Sequence, residues 1–392
     1  MRGAAAGERV GALLDARTRA NAAFFAAEAE RLAALCHRMA ERFARSGRLL
    51  ALGRTPAARS DVRHVAVEFV HPVIVGKRAL PALGLAAEGG DPAAQLALLA
   101  EREDIVIAFG SEPEALALAR ERGCLTIAFE GDAAEWTFLP PTADPFVAQE
   151  LVETLYHVLW ELVHVFFEHR GLLEGRDAPQ GHDAGASAFL YPFLAEREDD
   201  LDAVLADVRR SVLMKADEVG ALREQTLTGG HDALRAAART LRDAFDGGGR
   251  LLALGNGGSA TDAMDAVADF RTPLRGGPAR PALDLSEDPA ILTAIANDIG
   301  PEAIFARQVI AYGRRGDALL ALSTSGASRS VLEALREARG RGLATIALVG
   351  YDGGPILHDG LADHVIVAPS QHIPRIQEAQ ASAYHLLREL VG

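Results

Sequence analysis

Short, continuous apolar runs alternate along this chain with longer amphipathic stretches. The runs are RLLALG, PALGL, DIVIAF and CLTIAF in the first half, and RLLALG, PALDL, DALLALS, LATIALV and ADHVIVA in the second. Apolar runs of about four to eight residues are typical of strands that are buried on both faces. Stretches between them, such as SVLEALREARGRG, have a helical period. The alternation predicts an α/β fold, a doubly wound parallel sheet flanked by helices.

The same order of elements occurs twice. GRLLALGRTPAARSDVRHVAVEFVHP, from Gly47, aligns with GRLLALGNGGSATDAMDAVADFRTP, from Gly249, if the first segment has one extra residue. QELVETLYHVLWELV, from Gln149, likewise parallels QEAQASAYHLLRELV, from Gln377, with Gln, Tyr-His and Glu-Leu-Val in register. Such self-similarity predicts duplication, and therefore two tandem domains.

Long amphipathic helices are predicted before the two copies, roughly over 10–46 and 200–246. The segment between the halves is rich in Gly, Ala, Asp and Pro, which is typical of a linker. We therefore predict one domain over 1–170, a linker over 171–198, and a second domain over 199–392. The length of 392 residues also favours two domains.

Composition narrows the class of protein. A net charge of -14 argues against nucleic-acid and anionic-membrane partners. No uncharged apolar run approaches the ~20 residues of a membrane span, and the N-terminus lacks the apolar core of a signal peptide. The only two cysteines, Cys36 and Cys124, cannot form a disulfide framework, and we expect both to be buried thiols. A cytoplasmic protein is expected.

A glycine-rich loop follows the first strand of the second half. Gly255-Asn256-Gly257-Gly258-Ser259 stands directly between a strand and a helix. Glycines allow a sharp turn and a close approach to a ligand, and a helix N-terminus favours an anion. A plain glycine-rich turn explains this loop equally well.

A second loop carries several hydroxyl groups. Ser323-Thr324-Ser325-Gly326-Ala327-Ser328 follows the strand DALLAL and opens the next helix. Ordinary N-capping explains one or two hydroxyl groups but not four. Hydroxyl and N–H groups that converge on a helix N-terminus are well suited to a phosphate, so we predict that this loop binds one.

At this point the second half resembles a known family. GNGGSATDAMDAVADF, AIANDIG, LSTSGAS, GLATIALVGYDGG and RIQEAQASAYH resemble, in order, the phosphoheptose isomerases, which are SIS-domain proteins. The resemblance implies tandem SIS domains and the conversion of a ketose phosphate (sedoheptulose 7-phosphate) to an aldose phosphate. It implies phosphate contacts from Ser323, Thr324, Ser325 and Ser328. It implies further substrate contacts from Asn256, Gly257, Ser259, Asn297, Asp298 and Gln377.

The family's acid–base and metal positions are partly altered here. The family has a His and a Glu four residues apart on the helix after GNGGS, and a Gln and a His eight residues apart on the last helix. Gln377 and His385 match, but the first pair is Asp265 and Asp269, and Pro374 replaces a family Asp. The resemblance implies Asp269 and His385 as catalytic residues, and Asp265, Asp269, Gln377 and His385 as ligands of a divalent metal, zinc in the family. The alternative is that both aspartates are solvated helix carboxylates.

The first half shows the complementary pattern. His64, Glu68, Gln149 and His157 match the family spacing and form a second candidate metal set. Its first loop, Gly53-Arg54-Thr55-Pro56, lacks the glycine run, and in its second, Phe109-Gly110-Ser111-Glu112-Pro113, Glu112 would repel a phosphate.

Two interpretations of the first half stay open. One is a set of inherited polar residues satisfied within an interface, and the other is a composite site shared by the two domains. Three other histidines lack ligand spacing, and we expect solvated or core roles for His164, His169 and His182.

Three functions fit these features. The first is a phosphosugar aldose–ketose isomerase acting through an enediol on sedoheptulose 7-phosphate or a related sugar phosphate. The second is a non-catalytic phosphosugar-binding regulator or assembly factor, and the third, which the motif order fits less well, is a lyase or etherase of amino-sugar phosphates. Since active sites in the resembled family lie at subunit interfaces of a tetramer, a homodimer of this tandem chain is expected to give a four-domain assembly.

Overall fold

The chain forms two compact units. The computed structural model describes residues 2–73, 77–86, 90–168, 173 and 200–392. The N-terminal unit is Arg19–Asp217, and the C-terminal unit combines Glu218–Gly392 with the residues up to Thr18. The predicted linker over 171–198 lies outside the described residues except for Leu173, and the predicted domain bounds stay a prediction. None of the described helices is long and apolar enough to cross a membrane.

The N-terminal unit contains the strands predicted for the first half and one more, β5. Its strands are β1 (Leu49–Gly53), β2 (Ala82–Ala86), β3 (Ile105–Ala108), β4 (Leu125–Ala128) and β5 (Trp136–Thr137). Its helices are α2 (Pro56–Val70), α3 (Pro92–Leu99), α4 (Pro113–Glu121), α5 (Pro145–Glu168) and the larger part of α1 (Arg2–Ala44).

The C-terminal unit repeats this order. Its strands are β6 (Leu251–Leu254), β7 (Ala282–Asp284), β8 (Ala318–Ser323), β9 (Ala344–Gly350) and β10 (His364–Ala368). Its helices, the first of which begins in the N-terminal unit, are α6 (Leu201–Gly229), α7 (His231–Asp246), α8 (Gly258–Arg271), α9 (Pro289–Asp298), α10 (Ala306–Tyr312), α11 (Arg329–Arg341), α12 (Gly354–His358) and α13 (Ile373–Val391).

The predicted helix over 200–246 is in fact two helices. The break falls at Gly230, between α6 and α7. A Cβ at this position would lie 2.8 Å from the carbonyl oxygen of Thr226. Two consecutive glycines, Gly229 and Gly230, also weaken helix propagation, which explains why the chain turns there.

The two sheets have the same topology, and all of their strands are parallel. Their strand orders are β2-β1-β3-β4-β5 and β7-β6-β8-β9-β10. In each unit the second strand lies on one side of the first strand, and the later strands lie on its other side. The switch points therefore lie between β1 and β3 and between β6 and β8, where ligands bind in folds of this kind.

Both faces of each sheet are covered by apolar side chains. In β1, Leu49 and Ala51 belong to one buried cluster, whereas Leu50 and Leu52 belong to a second. The residues of β6 alternate between two clusters in the same way. Side chains of successive strand residues point to opposite faces, so each strand must be apolar throughout. These observations confirm two tandem doubly wound α/β domains.

A buried aspartate before the third strand is repeated in both units. The Arg48 N–H donates to Asp104 Oδ1 at 2.8 Å, and the Arg250 N–H donates to Asp317 Oδ1 at 3.0 Å. Each carboxylate also accepts a hydrogen bond from the same arginine's side chain and one from the preceding turn. This contact joins the start of the first strand to the start of the third, and so fixes the two strands that form the switch point.

Replacing either aspartate by alanine should destabilise its own unit. Asp104→Ala and Asp317→Ala each leave partly buried backbone N–H groups without their charged acceptor, and hydrogen bonds to charged groups contribute about 1.5–3 kcal/mol each. We expect a loss of about 3 kcal/mol in the free energy of unfolding, measured by urea denaturation. The exposed Asp359→Ala is the control. Equal stability of all three variants would contradict this role.

Candidate functional site

Two loops meet at the switch point of the C-terminal unit. The first, Gly255–Ser259, joins β6 to α8, and the second, Ser323–Ser328, joins β8 to α11. The strands β6 and β8 are hydrogen-bonded neighbours, so both loops lie at the same edge of the sheet. A hydrogen bond from Asn256 Nδ2 to Ser330 Oγ, at 3.0 Å, ties the first loop to the first turn of α11.

The first loop needs its glycines. Gly257 is the N-cap of α8 and has a φ of 59°, in the left-handed region. At Gly255 a Cβ would lie 2.2 Å from the carbonyl oxygen of Ser259, so only glycine fits this turn. The Ser259 side chain is buried at the start of α8, whereas Asn256 and Gly257 are exposed.

The second loop is ordered by its own hydroxyl groups. Ser323 is buried, and its Oγ accepts a hydrogen bond from the Gly326 N–H at 3.2 Å. Ser325 Oγ accepts one from the Ala327 N–H at 3.2 Å. Ser328 is the N-cap of α11, but its side chain makes no capping hydrogen bond. Ordinary N-capping therefore does not account for this serine.

Gly326 sets the shape of the second loop. Its φ is 62°, and a Cβ there would lie 2.3 Å from the carbonyl oxygen of Gly353, just before α12. Thr324, Ser325 and Ser328 are half-buried at the mouth of this turn. Their hydroxyl groups are placed around one helix N-terminus, as an anion site requires.

Asn297 and Asp298 lie apart from these loops in the hydrogen-bond network. Both are exposed at the C-terminal end of α9, and Asn297 Nδ2 donates to Asp298 Oδ1 at 2.7 Å. Among the described residues, no hydrogen bond joins either side chain to the two loops. Their predicted sugar contacts stay a prediction.

A second cluster of polar side chains lies between α8 and α13. His385 Nε2 is 3.4 Å from Asp265 Oδ2 and 3.4 Å from Asp269 Oδ2. Asp265 and His385 are buried, and the Asp269 side chain is 11% exposed. The interpretation of the two aspartates as solvated carboxylates is therefore wrong. Gln377 is also buried, two turns before His385 on α13.

Two further residues support the carboxylates. The Tyr384 hydroxyl donates to Asp265 Oδ2 at 2.8 Å. Arg388 donates from Nε to the backbone oxygen of Asp269 and from NH2 to that of Thr272, both at 2.9 Å, and so closes the last turn of α8. Burial lowers the pKa of the Arg388 guanidinium. Pro374, the departure from the family pattern, occupies the first turn of α13, where proline is tolerated.

The N-terminal unit has a matching cluster between α2 and α5. His64 Nε2 and His157 Nε2 are 3.3 Å apart, and Glu68 Oε1 is 3.9 Å from His64 Nε2. All three side chains are buried. Burial, and then the neighbouring His157, hold the pKa of His64 well below its usual value. Gln149, the fourth predicted ligand, is half-buried at the start of α5.

Both clusters have the dimensions of a metal site. Ligand atoms around a tetrahedral ion, each about 2.0–2.1 Å from the metal, are about 3.3–3.4 Å apart. In each cluster the three candidate ligand atoms lie within 4.8 Å of one another. Asp265 Oδ1 is buried and accepts no hydrogen bond from the residues that the structure describes. The residues present therefore fit a divalent cation.

An ion pair fills the corresponding switch point of the N-terminal unit. Arg54 Nε lies 2.9 and 3.0 Å from the two carboxylate oxygens of Glu112. By strand pairing, Ile105 corresponds to Ala318, so Glu112 stands at the level of Ser325. The buried carboxylate thus occupies the position of the hydroxyl-rich loop of the C-terminal unit. The sequence predicted that Glu112 would repel a phosphate there.

The remaining histidines and cysteines have structural roles or lie outside the described residues. His164 is buried, with Nδ1 2.7 Å from the Trp160 oxygen and Nε2 2.9 Å from the Arg78 oxygen, which confirms a core role. His169 and His182 lie outside the described residues. Cys36 and Cys124 are buried thiols, as expected, and burial raises both pKa values.

Sequence reasoning missed three contributors to these sites. Tyr384, Arg388 and the partner of Glu112, Arg54, were not proposed as site residues. For the tyrosine a signal existed, because the Tyr-His pair is repeated at 156–157 and 384–385. For the two arginines no local pattern distinguishes them from surface arginines, since their partners lie far away in the chain.

Comparison with known proteins agrees with the motifs. A family model described as an SIS domain matches residues 216–350. The chain is 42% identical over 212 residues to the phosphoheptose isomerase of Chlorobium phaeobacteroides, covering 53% of this chain and 88% of that protein. It is 46% identical over 174 residues to the phosphoheptose isomerase of Chlorobaculum tepidum, covering 43% and 82%.

A solved structure extends the likeness in fold to both halves. The C-terminal domain of a glucosamine-fructose-6-phosphate aminotransferase from Francisella tularensis covers 97% of this chain and 93% of that chain. The TM-score is 0.57 at 10% sequence identity, so this likeness concerns the tandem SIS fold alone. With the curated relatives, which cover about half of the chain, the conclusion is that this chain belongs to the phosphoheptose isomerase family of SIS-domain proteins.

Proposed function

We propose that the chain is a phosphosugar aldose–ketose isomerase whose substrate is sedoheptulose 7-phosphate or a related sugar phosphate. The observation that carries this proposal is the buried set of Asp265, Asp269 and His385, in the same unit as the hydroxyl-rich loop. Relatives that are 42–46% identical bear the name phosphoheptose isomerase. Fold by itself does not assign an activity, so the proposal depends on the site.

The phosphate would bind at the N-terminus of α11. The half-buried hydroxyl groups of Thr324, Ser325 and Ser328 surround this helix end. Unpaired N–H groups and the helix dipole favour an anion there without any lysine. Asn256, which is bonded to Ser330, would contact the sugar from the facing loop.

The proton transfer would use Asp269 and His385. The Asp269 carboxylate would take a proton from the hydroxymethyl carbon next to the ketose carbonyl, and the C–H electron pair would form the double bond of an enediol. Protonated His385 would donate to the carbonyl oxygen. Asp269 would then deliver its proton to the former carbonyl carbon. At the same time His385 would take the proton from the hydroxyl group on the first carbon, which becomes the aldehyde of the aldose.

As an alternative to the proton on His385, a divalent metal would be held by Asp265, Asp269, Gln377 and the neutral His385 imidazole. Such an ion would polarise the substrate carbonyl. The C-terminal set is rich in oxygen and suits a hard cation. The N-terminal set of His64, Glu68 and His157, with Gln149 as the fourth predicted ligand, has two imidazoles and suits zinc better. We further propose a cytoplasmic homodimer, which would bring together four SIS domains.

A second candidate function is a phosphosugar-binding regulator without catalysis. The observation that favours it is the short carboxylate pair at 265 and 269, because small errors of position strongly reduce proton-transfer rates. A regulator would keep the phosphate loop but would not convert the sugar.

Removing loop hydroxyl groups should weaken phosphate binding. We expect Ser325→Ala with Ser328→Ala to raise KM for sedoheptulose 7-phosphate at least about tenfold, since each hydrogen bond to a charged group contributes about 1.5–3 kcal/mol. Steady-state kinetics measure KM, and calorimetry measures the dissociation constant. The matched control is Ser111→Ala, in the corresponding loop of the N-terminal unit, where Glu112 and Arg54 fill the site. A rise in KM for the control alone would refute the assignment.

Removing the proposed base should abolish turnover but not binding. Asp269→Asn keeps the shape of the side chain, and we expect kcat to fall about 10²- to 10⁴-fold while the dissociation constant of the sugar phosphate changes little. Formation of the aldose phosphate is followed with and without added divalent metal. Asp352→Asn, whose side chain is 75% exposed, is the control. Tight binding without turnover by the wild-type protein in every metal would favour the regulator instead.

Zinc content should depend on the N-terminal cluster. After zinc loading and dialysis, we expect His64→Ala to reduce the bound metal by about one ion per chain, because two of the candidate ligands there are imidazoles. Elemental analysis gives the stoichiometry. His358→Ala, which removes an exposed imidazole, should leave it unchanged. The same zinc content in both variants would rule out this site.

A further inference from the structure

A buried tyrosine next to His385 reaches one of the two carboxylates. Tyr384 is 2% exposed, and its hydroxyl donates to Asp265 Oδ2 at 2.8 Å. Its ring packs edge-on against the His385 ring, with centroids 4.6 Å apart and an interplanar angle of 71°. The tyrosine therefore contacts both the acid side and the carboxylate side of the cluster.

The hydrogen bond distinguishes the two oxygens of Asp265. Oδ2 accepts the tyrosine hydroxyl and lies 3.4 Å from His385 Nε2. Oδ1 is buried and accepts no hydrogen bond within the part of the chain that the structure describes. A buried carboxylate oxygen left in this state is directed toward a further group, since buried acceptors are otherwise satisfied.

The equivalent tyrosine of the N-terminal unit makes a different contact. Tyr156 precedes His157 as Tyr384 precedes His385, and His64 stands at the position of Asp265. There the tyrosine ring packs against the His64 ring, with centroids 5.4 Å apart. The same aromatic position thus meets an imidazole in one unit and a carboxylate, which accepts a hydrogen bond from the hydroxyl, in the other.

From these contacts we propose that Tyr384 is a positioning residue for Asp265. It fixes the carboxylate so that Oδ2 stays beside His385 and Oδ1 faces the substrate or its metal ion. Asp265 is shorter than the histidine that the resembled family has at this position. A short side chain must be held in one orientation to be effective, and the tyrosine hydroxyl would do this. This inference rests on the proposed function, in which Asp265 belongs to the reacting cluster.

The test removes only the hydroxyl group. We expect Tyr384→Phe to lower kcat for sedoheptulose 7-phosphate about 10- to 100-fold, the usual effect of losing a residue that orients a ligand or catalytic group. KM should change less than about twofold, because the hydroxyl is bonded within the carboxylate cluster and not to the phosphate loop. The control Tyr312→Phe removes a hydroxyl from the more exposed end of α10 and should leave kcat unchanged.

A double-mutant cycle separates positioning from a general structural effect. In the Asp265→Ala background, Tyr384→Phe should produce no further loss of kcat, since the hydroxyl then has no carboxylate to hold. Equal losses in both backgrounds, or an unchanged kcat in the single variant, would overturn the proposal.

A crystal structure of the Tyr384→Phe variant tests the inference even if the wild-type protein shows no turnover. We expect the Asp265 carboxylate to rotate away from His385, or to occupy two orientations, in the variant alone. An unchanged carboxylate would overturn the positioning role. Absence of turnover by the wild-type protein, combined with a rotated carboxylate, would contradict the isomerase and leave the positioning role supported.

Discussion

The switch in strand order at the carboxyl edge of each parallel sheet is the constraint on which both sites depend. Where β1 meets β3, and where β6 meets β8, two helix N-termini lie side by side with N–H groups that no strand can satisfy. Such N–H groups, together with the helix dipole, favour an anion. In the C-terminal unit the loops carry hydroxyl groups, and the proposed function assigns this place to a phosphate. In the N-terminal unit Glu112 supplies the negative charge from within the chain, and Arg54 pairs with it.

In each unit the polar cluster lies between the helix that follows the first strand and the helix that packs against it. α8 packs against α13, and α2 packs against α5, so carboxylates and imidazoles from two helices become buried together. Burying charged groups is unfavourable unless partners compensate for the lost water. Tyr384 and His385 supply partners for the aspartates, and Arg388 holds the last turn of the helix that carries them. The result is an enclosed, hydrogen-bonded cluster rather than a set of surface side chains.

The two units have diverged in opposite respects. The C-terminal unit keeps the loops of its family and has aspartates at the two positions where the family has a histidine and a glutamate. The N-terminal unit keeps His64 and Glu68, but its loops carry the ion pair of Arg54 and Glu112 in place of the glycine run and the clustered hydroxyl groups. Both retain the strand order and the buried aspartate that joins the first strand to the third. Duplication therefore preserved the contacts that form the switch point, while the residues that face a ligand changed.

The sequence by itself determined the fold class, the duplication and the hydroxyl-rich loop that is proposed to bind a phosphate. Apolar runs, glycines and clustered hydroxyl groups act over a few residues, so their pattern is visible in one dimension. Only the tertiary structure decided that Asp265 and Asp269 are buried beside His385, more than a hundred residues away in the chain. The same holds for the contacts of Tyr384, Arg388 and Arg54, and for the break at Gly230, because each depends on which surfaces pack together and on the space that this packing leaves.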